Sequence, residues 1–128
     1  MKKLNKIAAS LMAAAITTIS LSSISANAYG PSHYFYAGSA SVLAGANREN
    51  VHTFTATTYS TNAAVGEKDA YIIAYTASGV NRAQFRQSFT IKAFAQAQDN
   101  NITFVRGNTH HQAVNKYSGD RGIYAFSF

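Results

Sequence analysis

The sequence predicts an all-β chain folded as a small antiparallel β-sandwich of six to eight short strands. A small barrel is the alternative way to close such strands. Three observations carry this. Residues 29–128 contain all 8 Tyr and all 8 Phe of the chain, but a single Leu (Leu43) and neither Met nor Trp. Aromatic and β-branched side chains suit a pleated surface, whereas Leu and Met are the usual fillers of helices. Turn-forming clusters recur at spacings of about ten residues, which fits short strands joined by short turns. Finally, residues 82–92 alternate. Arg82, Gln84, Arg86, Ser88, Thr90 and Lys92 fall on one side, and Ala83, Phe85, Phe89 and Ile91 on the other, with Gln87 the exception. Period two over that length gives a strand one wet and one dry face. A helix would place Phe85 and Phe89 on one stripe but scatter the charges around its circumference.

Residues 1–28 read differently. Lys2, Lys3 and Lys6 form a basic start, 7–21 is uncharged and apolar, and Ala26-Asn27-Ala28 supplies the small residues of a peptidase site. These are the parts of a secretory signal, in a style that resembles bacterial export signals. A spanning helix needs about 20 mostly apolar residues, and this core is shorter and diluted by Thr and Ser. Cleavage after Ala28 is expected, leaving 29–128 as a single all-β domain. It would be secreted to the extracellular space, or to the periplasm of a cell with two membranes. With no Cys, the domain has no disulfide to brace it.

Along that domain, 32–37 with Tyr34, Phe35 and Tyr36 forms a first strand, broken by Gly38. A weak second strand follows at 39–44. Residues 51–59 are nearly all Thr, Val, Phe and Tyr, a strong strand. Residues 60–69 gather Asn62, Gly66, Glu67 and Lys68 and read as a loop. The run 70–77, with Ile72 and Ile73, should be the most buried strand. After the turn at 78–81 comes the alternating stretch, extended by Ala93, Ala95 and Ala97. It predicts Phe85, Phe89 and Ile91 inside and Arg82, Arg86 and Lys92 outside. Residues 98–101 turn, 102–106 form a strand, and 107–112 a loop with His110 and His111. A short strand at 113–117 and a turn at 118–122 lead to 123–128, with Tyr124, Phe126 and Phe128 on one face. That last alternation resembles the closing strand of outer-membrane barrels. A barrel of eight strands, each about 9 to 11 residues long plus turns, would barely fit this length. A protein that does not span a membrane is expected.

Charge narrows the function classes. Without the three signal lysines, eight cations face five carboxylates, a net charge of +3. That is mild, compatible with solubility or a weak preference for anionic partners. No Gly-x-Ser-x-Gly elbow and no phosphate-binding Gly-Lys-Thr loop occurs. All five carboxylates (Glu49, Glu67, Asp69, Asp99, Asp120) fall in expected loops rather than on strands where a rigid acid–base pair would be built.

The candidate residues are therefore those of a binding surface. Arg82, Arg86 and Lys92 on one strand face could meet anionic groups along a polymer. The tyrosines, Tyr34 and Tyr36 among them, offer flat apolar area with a polar tip, as recognition surfaces do. The leading expectation is a secreted binding protein whose partner is a protein or an anionic envelope polymer, with no cofactor and no catalytic residues. A secreted antagonist of neighbouring cells, bacteriocin-like or toxin-like, is the alternative. A small hydrolase such as a ribonuclease comes second, using His52, His110, Glu49, Arg48 and Arg106. No metal is expected; His110 and His111 are the weak candidates for ligands.

Overall fold

The computed structural model describes residues 31–128, so the expected export signal lies outside the described residues. Gly38 adopts φ 64°, open to glycine at no steric cost, and folds β1 (Ser32–Ala37) back on β2 (Ala40–Asn50). There follow β3 (Thr53–Tyr59), β4 (Val65–Tyr75), β5 (Asn81–Ser88), β6 (Lys92–Gln98), β7 (Arg106–Asn115) and β8 (Arg121–Ser127). They form two four-stranded antiparallel sheets, in the orders β1-β2-β3-β6 and β5-β4-β7-β8. The chain changes sheet between β3 and β4, between β5 and β6, and between β6 and β7. Among the described residues no ladder joins the two sheets, so the fold is a sandwich and not a barrel.

Small side chains dominate the interior. Ala44, Ala56, Ala93, Ala95 and Ala97 of one sheet are buried, as are Ala70, Ala74 and Ala113 of the other, around Phe54, Ile72 and Val42. Larger rings close the flank between β1 and β8. Tyr124 and Phe126 share one side of β8, Phe128 follows at the same spacing, and all three pack against the core. The His33 ring lies 5.2 Å from that of Tyr124 and 5.1 Å from that of Phe126. On the opposite flank β6 is an edge strand, and the Gln96 N–H donates to Gln84 Oε1 of β5 at 2.8 Å. An edge N–H capped from within the protein is withdrawn from pairing with another chain.

Polar groups also enter the core. Thr58 Oγ1 donates to the Asp69 carbonyl at 2.6 Å and lies 3.2 Å from His111 Nδ1. Lys68 is buried, with Nζ donating to the Gly66 carbonyl at 2.9 Å. Burial, with the Lys116 charge second, lowers its ammonium from 10.5 to about 8. Between those values the unfolded chain holds more protons than the folded one, so stability rises with pH across that window and is flat below it. The raised phenols of Tyr34 and Tyr71 act with the opposite sign, but only near and above pH 10. Urea denaturation of the wild type should show a gain between about pH 7.5 and about pH 9.5 that Lys68→Met lacks.

Several expectations are corrected. The stretch 82–92 is not one strand: β5 ends at Ser88 and β6 begins at Lys92 in the other sheet. Ser88 Oγ accepts the Thr90 N–H at 3.1 Å, and the two hydroxyls lie 2.7 Å apart. Such local side-chain bonds compete with a continuous ladder. Phe89 and Ile91 are consequently 72% and 57% exposed rather than inside. Within β5 Arg82 and Arg86 are exposed as expected, but this is an edge strand and its register turns them to the side opposite the one expected. Arg86 pairs with the buried Ala70, whereas Phe85 pairs with Tyr71 on the outer face of the sheet. Past the turn the odd residues Ala93, Ala95 and Ala97 do face the core, because the chain has crossed to the opposite sheet.

The loop expected at 60–69 ends at Val65, and Glu67, Lys68 and Asp69 belong to β4. Glu49 likewise sits in β2, so only Asp99 and Asp120 of the carboxylates lie in turns. Residues 102–105 form no ladder; they are held by single bonds such as Phe104 N to the Val51 carbonyl at 2.7 Å. The histidine loop at 107–112 and the short strand at 113–117 are one strand, β7, as far as Asn115.

Candidate binding face

The outer face of the β1-β2-β3-β6 sheet is built by register. Tyr34 of β1 stands opposite Leu43 of β2, Leu43 opposite Tyr59 of β3, and Tyr59 opposite Lys92 of β6. Four strands at 4.7–4.9 Å spacing stretch that row over about 14 Å. Tyr36 lies two residues beyond Tyr34 on the same face, and Phe94 two beyond Lys92. Leu43 is buried between its aromatic neighbours, while Tyr34 and Tyr36 remain 58% and 60% exposed. Lys92 Nζ sits 5.9 Å from the centroid of the Phe94 ring. Burial, then the neighbouring Tyr36 and Tyr59 phenols, raises the Tyr34 hydroxyl above its ordinary 10.0. The Tyr34 phenol is therefore a neutral donor and acceptor at physiological pH. The face combines a rigid aromatic platform, phenol hydroxyls and one cation at its end.

No family model, curated protein or solved structure matches this chain.

The expected site residues thus divide. Tyr34, Tyr36 and Lys92 come to one face. Arg82 and Arg86 do not join them: both lie on β5 of the other sheet, on its core-side edge. Arg82 is held by Asp99, with Nη2 2.7 Å and Nε 2.8 Å from Oδ2. The Asn101 backbone N–H first, and then Arg82, keeps that carboxyl below the usual carboxylate range. Arg86 donates to the Phe85 carbonyl at 3.1 Å and is exposed. Tyr59, one of the tyrosines, and Phe94 also belong to the face. Their residue type was visible in the sequence, but the pairing that aligns them with Tyr34 and Lys92 was not.

His110 and His111 project to opposite sides of β7, as neighbours in a strand must. His111 is buried and stacks on Phe126 at 5.4 Å, while His110 faces outward, its ring 6.3 Å from that of Tyr71. The two cannot grip one ion together. Among the described residues no group of three His, Cys, Asp or Glu converges for a metal. His52 belongs to the β2–β3 turn, with Nδ1 2.6 Å from the Ile102 carbonyl, whereas His110 lies on the outer face of the other sheet. Burial lowers the His110 imidazole, keeping it neutral near pH 7. No described helix is long and apolar enough to cross a membrane.

Proposed function

We propose that the chain is an exported binding protein that docks through the outer face of the β1-β2-β3-β6 sheet. Its best-fitting partner is an anionic polymer of a cell surface, with a protein as the alternative partner. The observation that carries this reading is the exposure of Tyr34 and Tyr36 on a strand backed by sheet, with Tyr34 in one row with Lys92. Rings fixed by a sheet lose little side-chain entropy on binding, and their flat faces suit extended, uncharged stretches of a polymer. The terminal ammonium then supplies the one charge-dependent contact. Antagonism toward neighbouring cells is a second reading, favoured by the exposed Phe89 and Ile91 in the β5–β6 turn. The hydrolase reading gains no support from His52 and His110, which lie on different surfaces.

The test is sedimentation with isolated cell envelopes. Tyr34→Ala with Tyr36→Ala should weaken binding tenfold or more while leaving the melting temperature nearly unchanged, since both rings are mostly exposed. That loss is about 1.4 kcal/mol, well within what two recognition aromatics contribute. Lys92→Gln should reduce the dependence of binding on salt. Undiminished binding by the double variant would overturn the assignment of this face.

A further inference from the structure

We propose that the β5–β6 turn is a lipid-contact tip that seats the protein on an anionic bilayer surface. Phe89 and Ile91 are the most exposed phenylalanine and isoleucine among the described residues, 72% and 57%. They stand either side of Thr90 in a turn that its neighbours hold in place. The Thr90 N–H donates to Ser88 Oγ at 3.1 Å, and Thr90 Oγ1 donates to the Lys92 carbonyl at 3.3 Å. Thr90 is thereby turned back on the backbone, and the two apolar side chains are left to solvent. The Ile91 carbonyl accepts the Ser60 N–H at 3.0 Å, which anchors the tip to the start of the β3–β4 connection.

Charge says what covers this tip. Arg86 and Lys92, both exposed, flank it in the chain, and residues 82–98 contain no carboxylate. Of the acids nearby, Glu67 accepts a hydrogen bond from Gln87 on the outer side of β5, and Asp69, opposite Gln87, is buried. Cation, aromatic, aliphatic and cation in succession match the layering of a bilayer interface. The apolar pair enters the acyl boundary and the cations stay at the anionic headgroups. Phe94, on the same strand as Lys92 and partly exposed, adds a ring at headgroup level. An exposed apolar turn needs no concave partner to meet lipid. This inference shares Lys92 and Phe94 with the Tyr34 and Tyr36 face but needs neither tyrosine, and the two tyrosine substitutions separate the two.

The chain has no Cys, so Phe89→Cys gives a unique thiol for an environment-sensitive dye whose aromatic bulk replaces the ring. Vesicles of phosphatidylglycerol and phosphatidylcholine should shift its emission to the blue and expose it to a bilayer-embedded quencher. The same dye at Asn101→Cys, beyond the far end of β6, should not respond. Phe89→Ser with Ile91→Ser should lower co-sedimentation with these vesicles tenfold or more. Arg86→Gln and Lys92→Gln should lower it about fivefold each and abolish the preference over pure phosphatidylcholine. Tyr34→Ala with Tyr36→Ala should leave vesicle binding unchanged. A silent dye at position 89, an equal response at 101, or full binding by the Phe89→Ser/Ile91→Ser variant would overturn the proposal.

Discussion

Truncating Phe54 to Ala should cost about 3 to 5 kcal/mol, while the same change at Phe89 should cost less than about 1 kcal/mol. Phe54 is 1% exposed, and its ring lies 5.5 Å from those of both Phe104 and Phe128. The Arg48 guanidinium carbon stands 5.1 Å from its centroid. Removing the ring leaves a cavity lined by two other aromatics, which β-strand backbones on either side cannot collapse to fill. Against a total stability of about 5 to 15 kcal/mol for a small domain, the loss approaches unfolding. Urea denaturation of both variants measures the contrast. Equal midpoints for Phe54→Ala and Phe89→Ala would contradict the placement of both residues.

That pair of phenylalanines also marks where sequence reasoning succeeds and stops. β1 and the alternating side of β8 were legible, because a short aromatic run bounded by Gly and a strict period of two each have one physical meaning. The period from 82 to 97 was equally real. However, it persists through a change of sheet, and periodicity cannot tell which side of a strand the core occupies. The composition of 60–69 suggested a loop because buried Lys68 and Asp69 contradict the usual cost of charge inside a protein. Of the binding face, Tyr34 and Tyr36 were visible as residues. Their alignment with Tyr59, Phe94 and Lys92 depends on pairings between strands distant in sequence. The division of Arg82 and Arg86 from Lys92 likewise follows from the crossing at 89–91.

Gly122→Ala should be the most damaging single-atom addition, at about 3 kcal/mol, the upper end of ordinary overpacking. A Cβ on Gly122 of β8 would fall inside the van der Waals envelope of the Tyr36 carbonyl oxygen and 2.8 Å from its carbon. The Phe35 ring carbon Cδ2 would be 3.1 Å away. Backbone is the obstacle, so no rotamer change relieves it; β1 itself must move. Thermal unfolding should therefore begin at markedly lower temperature. Envelope binding should fall as well, because β1 carries Tyr34 and Tyr36. A variant with unchanged melting and binding would show that β1 and β8 are not in such close apposition.

The order in which the strands enter the two sheets has a kinetic consequence. β6 completes the first sheet but arrives only after β4 and β5 of the second; β7 joins β4 in the second only after β6 has crossed back. Each sheet is completed by a strand that follows strands of the other along the chain. The ladders that seal them, β3 with β6 and β4 with β7, join segments far apart along the chain, so most of the loop-closure entropy is spent before the largest reward arrives. Such long-range pairing places folding in the range of about milliseconds to seconds. The topology therefore implies assembly in a single concerted step, with no stable half-molecule along the way.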